Sequence, residues 1–283
     1  MSSLVECQDV LNNNSCWYGM QRSVASEKLK LRVVPQPPKT AKAPSPARSN
    51  AVNLIETAYE QIEAAIVSCE LRPGTDLSMQ HLQDLTGLGR TPVHHAVNRL
   101  ALDTLIVVKP RQGLRIAPID LSRERLLLSL RRDIERFVIE LATERSNASH
   151  RNQMLHLSRV LTERRVGMGI NEFNEIDRRI DALLLSAAGE PFLQHTLRPL
   201  HSIFRRTGWL YHRQMPEGRK LDGTIDVHLA VLNAVANRHL DAALQACDTL
   251  IAFVDEMFEN LEARVDPSLL DASIKTIGLD FDN

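Results

Sequence analysis

Apolar residues recur every three or four positions through most of this chain, the spacing that places them on one face of a helix. The first such run extends from about Asn53 to Cys69. It ends at Arg72-Pro73-Gly74, because proline cannot continue a helix and glycine suits the turn that follows. A short helix is predicted from Met79 to Thr86, and Gly87-Leu88-Gly89 then forms a tight turn. The pattern therefore predicts three helices in this part of the chain, the third beginning near Arg90.

The third predicted helix has an apolar face and a polar face. The apolar residues on one arc of the helical wheel are Val93, Ala96, Val97 and Leu100. The hydrogen-bonding residues on the opposite arc are Arg90, Thr91, His94, His95 and Asn98. The first arc suits packing, and the second suits phosphates and base edges in a DNA major groove. Arg90 and Thr91 are placed for this contact, because a recognition helix meets DNA near its N-terminus.

Two short β-rich runs follow, at Leu105–Val108 and Leu114–Ile116, and Lys109–Gly113 joins them. This connection carries two cations and a glycine, as expected of a hairpin that lies along a minor groove. Three helices and a hairpin in this order predict a winged helix-turn-helix that binds double-stranded DNA. The predicted DNA contacts are Gln80, Arg90, Thr91, His94, Asn98, Arg99, Arg111 and Gly113. The alternative is a helix-turn-helix used only for packing, with its arginines as ordinary solvated charges.

This segment resembles the GntR family of bacterial transcription regulators. The matching residues are Leu71-Arg72-Pro73-Gly74, Leu88-Gly89-Arg90-Thr91-Pro92-Val93, Arg99-Leu100 and Arg111-Gln112-Gly113. The chain departs from the family pattern at Gly89, where serine is usual, and at His94-His95, where arginine and glutamate are usual. His94 offers fewer donors than an arginine and a charge that depends on pH. The resemblance implies that a homodimer binds an operator with two half-sites about 34 Å apart.

The chain from Ser122 to about Arg264 has helical periodicity and no strand pattern. The helices predicted there span residues 122–146, 149–166, 171–188, 191–214, 223–238 and 239–263. A bundle of this size can bury its own core and leave room for an internal pocket. The predicted fold is therefore mainly α, with a winged helix-turn-helix followed by an all-α six-helix bundle.

The helical half resembles the FCD effector domain of the FadR-type branch of GntR regulators. The segments that carry this resemblance are Arg131-Arg132-Asp133-Ile134-Glu135, Phe173-Asn174-Glu175-Ile176-Asp177, Ala187-Ala188-Gly189-Glu190-Pro191 and His228-Leu229-Ala230-Val231-Leu232-Asn233-Ala234. The resemblance implies that the bundle binds a small-molecule effector and supplies the dimer interface.

In many members of that branch the bundle holds a divalent metal ion through an aspartate, a histidine four residues later and two histidines on later helices. The corresponding positions here are Asp177, Asp181, His228 and Leu250. Two of these residues differ from the family pattern, and Leu250 cannot coordinate a metal. The resemblance thus implies a metal site at Asp177, Asp181 and His228. The alternative is that the two aspartates are ordinary charges beside the apolar stripe of their helix.

An arginine on the first helix of the bundle often lines the pocket in that family. A guanidinium there can hold a carboxylate through two hydrogen bonds, so the predicted effector is an organic acid. The predicted effector-binding residues are Arg131, Arg132, Asp177 and His228. The alternative for the two arginines is a surface position, paired with Asp133 or Glu135.

Composition limits the function classes. The 283 residues carry a formal net charge of −1, so DNA binding must come from local charge. Five cations lie within twenty-six positions of the DNA-binding segment: Arg90, Arg99, Lys109, Arg111 and Arg115. Four scattered cysteines indicate a reducing cytoplasm, and no run is apolar enough for a membrane span or an export signal.

We predict a disordered extension at residues 1–50, the DNA-binding domain at 51–120, the effector-binding and dimerisation domain at 121–265 and a tail at 266–283. The Pro/Ala/Lys-rich stretch before residue 50 cannot bury enough apolar surface to fold. It is either a basic arm that attracts phosphate or an inert extension.

The predicted function is a transcription regulator, in our interpretation a repressor, whose operator affinity is controlled by a small carboxylate metabolite bound in the bundle. One alternative is a constitutive DNA-binding dimer with a degenerate effector site, and another is a metal-dependent hydrolase. The sequence argues against an enzyme, because it contains no recognisable set of nucleophile, base and orienting group.

Overall fold

The computed structural model describes residues 46–214 and 221–274, which form a half with a small sheet followed by an all-helical half. The predicted extension at residues 1–50 lies outside the described residues except for 46–50, which begin the first helix. Residues 275–283 of the predicted tail also lie outside them.

The amino-terminal half is a winged helix-turn-helix, as predicted. Its elements are α1 (Pro46–Val67), β1 (Asp76–Leu77), α2 (Met79–Thr86), α3 (Arg90–Leu102), β2 (Ile106–Lys109) and β3 (Gly113–Ile116). The strands form an antiparallel sheet in the order β1-β3-β2. Strand β1 was not predicted, because two residues are too few for a periodic pattern. Helix α1 begins at Pro46 rather than near Asn53, and proline is tolerated in a first turn, where its missing N–H would have no helical partner.

One apolar core holds these elements together. The residues of α3 that are buried in it are Val93, Ala96, Val97 and Leu100, the predicted apolar arc. They pack with Tyr59 and Ile62 of α1, Leu82 of α2 and Ile116 of β3. Because α3 turns its apolar arc inward, its polar arc remains on the surface.

The helical half follows the sequence prediction closely. Its elements are α4 (Leu121–Arg145), α5 (Ala148–Arg164), α6 (Ile170–Ala188), α7 (Pro191–Gln214), α8 (Asp222–Ala236), α9 (Leu240–Arg264) and the short α10 (Pro267–Leu270). Each boundary of α4 to α9 lies within two residues of the predicted one. The apolar faces of these helices meet in a second core, centred on residues such as Val138, Ile180, Leu197 and Phe258.

An acidic face of α1 joins the two halves. Glu56, Glu60 and Glu63 lie one helical turn apart and point the same way. Their partners on the helical half are Arg198 for Glu56, Arg178 for Glu60 and Ser202 for Glu63. Helix α7 also sends Ile203 into the apolar core of the winged half. Helix α1 therefore rests directly on α6 and α7.

The segment after α9 also joins the two halves. The N–H of Ala272 donates to the carbonyl of Pro73 at 2.8 Å, in the turn after α1. Arg115 of β3 pairs with Asp271 at 3.3 Å. The predicted tail is therefore docked against the winged half as far as it is described.

Candidate DNA-binding surface and effector cavity

The polar arc of α3 forms an exposed surface. Arg90, Thr91, His94 and Asn98 are all exposed, and the amide of Asn98 lies 3.3 Å from Nδ1 of His94. Gly89 is the N-cap of α3 and offers no side-chain hydrogen bond to the helix. The first backbone N–H groups of α3 are therefore left for an anion such as a phosphate. This surface has the donors that DNA recognition needs.

The hairpin and α2 place the other predicted contacts beside α3. Arg111 and Gly113 are exposed at the turn between β2 and β3, and both have positive φ, of 63° and 106°. Glycine adopts this conformation without strain, which explains the residue at position 113. Gln80 is exposed on α2, where its amide donates to Asp84 at 2.8 Å. These positions suit a wing and a flanking helix, and their contact with DNA remains a prediction.

Arg99 is only partly exposed and is engaged in an ion pair within the protein, so its contact with DNA stays a prediction. Its Nη1 donates to Oε2 of Glu56 at 2.6 Å, and its guanidinium lies 4.3 Å from the ring centroid of Tyr59. Arg198 of α7 binds the other oxygen of the same carboxylate at 2.8 Å and also lies 4.3 Å from the Tyr59 ring. We call this arrangement of Arg99, Glu56 and Arg198 the Glu56 bridge. It connects the recognition helix to the helical half.

A cavity of about 60 Å³ lies between α4, α6, α7, α8 and α9, and we call it the bundle cavity. The charged and aromatic residues that line it include Arg131, Phe173, Asp177, Asp181, His201, Arg205 and His228. Leu250 of α9 lines it too. The structure thus brings together Arg131, Asp177 and His228, as predicted, although these residues are far apart in the sequence.

Arg132 is the predicted effector residue that lies elsewhere. It is exposed, pairs with Asp133 at 3.2 Å and does not line the bundle cavity. The physical reason is that consecutive residues point about 100° apart around a helix, so Arg131 and Arg132 cannot face one pocket. The surface alternative is correct for Arg132. Arg131 lines the cavity, as the prediction of an effector residue requires. It also binds Glu135 at 3.2 Å, which is the pairing that the alternative gave.

The sequence analysis did not identify His201, Glu135 or Arg205 as site residues. Nε2 of His201 lies 3.0 Å from Glu135, and its Nδ1 lies 3.2 Å from Asp181. Arg205 donates from Nε to Asp177 at 2.9 Å and from Nη2 to Asp181 at 2.6 Å. One signal was available: His201 and Arg205 are four residues apart on α7, so the two polar side chains lie on one face of the helix, beside the apolar residues Leu197 and Phe204.

Three histidines line the cavity, and carboxylates influence the protonation of two of them, His201 and His228. Burial alone lowers the pKa of His201, but Asp181 and Glu135 outweigh it and raise the pKa above its usual value. The same balance, with Asp177 as the partner, raises the pKa of His228. Nδ1 of His228 lies 2.6 Å from the carbonyl of Thr224, which can only accept. The surroundings of both histidines therefore favour the imidazolium form, in which both ring nitrogens donate.

The acids of the cavity differ from one another. Burial raises the pKa of Glu135, but the cations of His201 and Arg131 outweigh it and hold the pKa at about 2. Asp177 is likewise kept ionised, because Arg205 and His228 lower its pKa against the effect of burial. Burial raises the pKa of Asp181 to about 6. The network thus contains fixed charges of both signs and one acid that titrates near neutrality.

The residues of the predicted metal site do not fit a divalent ion. The guanidinium of Arg205 binds both aspartates, and both ring nitrogens of His228 face acceptors, Asp177 and the carbonyl of Thr224. A metal ligand must instead direct a lone pair at the ion. Among the described residues, the donor atoms that lie close enough together for a metal belong to Glu135, Asp181 and His201. In that group the two nitrogens of His201 face different carboxylates, the geometry of a hydrogen-bonded bridge.

Comparisons with known proteins define the class to which these features belong. Residues 54–116 match the family described as bacterial regulatory proteins, gntR family, and residues 126–253 match the FCD domain. The chain is a DNA-binding transcription regulator and not an enzyme. It belongs to the GntR family and combines the DNA-binding domain of that family with an FCD domain.

Curated relatives and solved structures agree with this assignment. The HTH-type transcriptional repressor RspR of Escherichia coli is 27% identical over 192 residues, which cover 66% of this chain and 81% of that protein. The regulator YieP of Escherichia coli is 22% identical over 224 residues, 72% of this chain and 95% of that protein. The structure of E. coli McbR/YncC matches with a TM-score of 0.65 at 15% identity, over 74% of this chain and 98% of that one. At such identity the structural match supports the fold alone.

No helix within the described residues is both long enough and apolar enough to span a membrane.

We expect His201→Gln to destabilise the protein, because glutamine cannot donate to both Glu135 and Asp181. A histidine with a raised pKa contributes stability that is fully present below its ordinary pKa of 6.5 and is lost as the pH rises through the folded-state value. The loss should therefore be roughly 3 kcal/mol near pH 6 and smaller near pH 9. Denaturant unfolding at both pH values measures it, with the exposed His195→Gln on the same helix as control. A loss independent of pH would contradict the charged state.

Proposed function

We propose that this protein is a ligand-responsive repressor. In this proposal a homodimer binds operator DNA through α3 and the wing, and a small carboxylate in the bundle cavity lowers its affinity for DNA. The observation that carries the proposal is that α7 lines the bundle cavity with His201 and Arg205 and holds the winged half through Arg198 and Ser202. A ligand that moves α7 would therefore move the recognition helix.

The Glu56 bridge supplies the most direct route for this coupling. Its carboxylate binds Arg99 of α3 on one oxygen and Arg198 of α7 on the other. Both guanidiniums are partly exposed, so the bridge can rearrange at a modest cost in free energy. Half-site spacing is fixed in DNA, so a small rotation of each winged half in a dimer is enough to change affinity.

The chemistry of the bundle cavity favours a small acid. Its permanent cations are Arg131 and Arg205, and the carboxylates of its lining are Asp177 and Asp181, both of which bind Arg205. Arg131 therefore offers a guanidinium that can hold the carboxylate of a ligand. A volume of about 60 Å³ has room for a few water molecules, which is the size of a carboxylate with few heavy atoms.

The homodimer is supported by an apolar stripe on α4. Leu126, Leu130 and Phe137 are 73%, 51% and 49% exposed, and their spacing of four and seven residues places them on one helix face. Exposed apolar residues that share one face are typical of a protein interface. The repressor role is supported by the name of one relative, RspR, which is called a transcriptional repressor.

We expect Arg90→Ala to reduce affinity for operator DNA roughly tenfold, because Arg90 is the exposed cation at the start of α3. Fluorescence anisotropy with fragments from the upstream region of its own gene measures this affinity. Arg159→Ala, an exposed arginine on α5, is the control. Sedimentation of the complex gives the number of chains bound. Equal affinity for the wild type and Arg90→Ala would contradict the proposed surface.

We expect Arg131→Lys to weaken binding of the effector roughly tenfold, since an ammonium cannot reproduce the two parallel hydrogen bonds of a guanidinium. A thermal-shift screen with short mono- and dicarboxylates identifies the ligand, and titration of the variant measures the change. Arg132→Lys, one position along α4 but outside the cavity, is the matched control. A carboxylate that stabilises the wild type and Arg131→Lys equally binds elsewhere. If no small acid stabilises the wild type, the constitutive dimer is the better description.

We expect Arg198→Gln to bind DNA normally and to respond less to the effector, because it breaks the Glu56 bridge on the side of α7. The measurement is the ratio of operator affinity with and without effector, which typically changes about fivefold or more in an allosteric regulator. Arg178→Gln removes a contact to α1 that does not include α3, and is the control. If both variants reduce the ratio equally, coupling runs through the whole interface rather than through the bridge.

A further inference from the structure

The side chain of Arg205 lies where the family resemblance placed a divalent ion. Asp177 and Asp181 are four residues apart on α6 and direct one oxygen each at the same guanidinium, at 2.9 and 2.6 Å. The side chain of Arg205 is only 5% exposed, so this cation is enclosed by the protein. The two aspartates thus already share a positive charge, and α7 supplies it.

We propose that Arg205 is a built-in cation that replaces the metal ion, so that the bundle cavity binds its effector without any divalent metal. The term effector rests on the function proposed above. The replacement itself rests on three observations in the cavity. They are the pairing of Arg205 with both aspartates, the position of Leu250 on the cavity wall and the two engaged nitrogens of His228.

These observations exclude a metal ion on grounds of charge and of coordination. A divalent cation bound to Asp177 or Asp181 would lie beside the guanidinium of Arg205, and the repulsion between two buried cations is large. Leu250 offers only hydrocarbon where a fourth donor would be needed. An ion at His228 would also have to separate Nε2 from the carboxylate of Asp177, which lies 3.0 Å away, because Nδ1 already faces the carbonyl of Thr224.

The replacement changes what the cation is attached to. A bound ion is held by its ligands alone, whereas Arg205 is a covalent part of α7, three residues after Ser202. Arg205 also lines the two clefts between α1 and the helical half, together with Glu63. A ligand that draws the aspartates away from Arg205 therefore acts directly on the helix that holds the winged half. The effector itself must be bound by cations that the aspartates do not occupy, above all Arg131.

The test compares the wild type with Arg205→Ala and with Leu250→His. Each protein is treated with a chelator and then titrated with Mn²⁺, Ni²⁺ or Zn²⁺, while metal content and melting temperature are measured. We expect the wild type to bind no metal and to keep its melting temperature in chelator. We expect Arg205→Ala to melt at a lower temperature, because two buried carboxylates lose their partner, and to be stabilised again by a divalent ion.

The variant Leu250→His tests the proposal independently, in case Arg205→Ala does not fold. It restores a fourth ligand while Arg205 stays in place, and we expect it to bind no metal. The double variant Arg205→Ala/Leu250→His should then bind about one ion per chain. A tightly bound stoichiometric ion in the wild type, or in Leu250→His with Arg205 intact, would overturn the proposal. Failure of all carboxylates to stabilise a metal-free wild type would count against the proposed effector function and leave the role of Arg205 standing.

Discussion

The acidic face of α1 is the feature on which the arrangement of the two halves depends, and the carboxylate of Glu56 is the part of it that reaches the recognition helix. One oxygen binds Arg99 of the recognition helix and the other binds Arg198 of α7, and both guanidiniums lie over Tyr59. A single side chain of α1 thus connects the recognition helix to the FCD domain. The hydroxyl of Tyr59 adds a hydrogen bond of 2.7 Å to Asp103, at the end of α3. The DNA-binding surface therefore has no position independent of the FCD domain.

The polar contacts of α7 differ in strength along its length. Arg206 is buried and binds the carbonyls of the linker between the two halves, as well as Glu124. A buried arginine without such partners would cost several kcal/mol, so this contact is firm. Arg198 is partly exposed, and exposed pairs contribute at most about 1 kcal/mol. Helix α7 is thus held firmly at the linker and weakly at the Glu56 bridge. A helix that passes a movement from one domain to the other needs one strong contact and one contact that can rearrange.

The helices could be predicted well, because the apolar periodicity that defines each helix lies within a short stretch of the chain. The same periodicity predicted which residues of α3 are buried. The cavity was harder to predict, because its partners are far apart in the chain. Glu135 and His201 are separated by 66 residues, and neither residue alone indicates a bond between them. The ion pair of Arg99 could not be predicted for the same reason, since Glu56 and Arg198 lie on other helices. The placement of Asp177 and His228 came from family resemblance, which carries information on distant contacts that periodicity lacks.

Ion pairs within the protein occupy several cations of the winged half. Three of the six cations in residues 53–117 are paired: Arg99 with Glu56, Lys109 with Asp76 and Arg115 with Asp271. The other three, Arg72, Arg90 and Arg111, have no ion pair among the described residues and are exposed. Each phosphate contact contributes to affinity by releasing counterions, so a few exposed cations give limited attraction. In the homodimer proposed above, a second copy would double the number of exposed cations and set the spacing between them. The geometry of that dimer would then control binding to DNA.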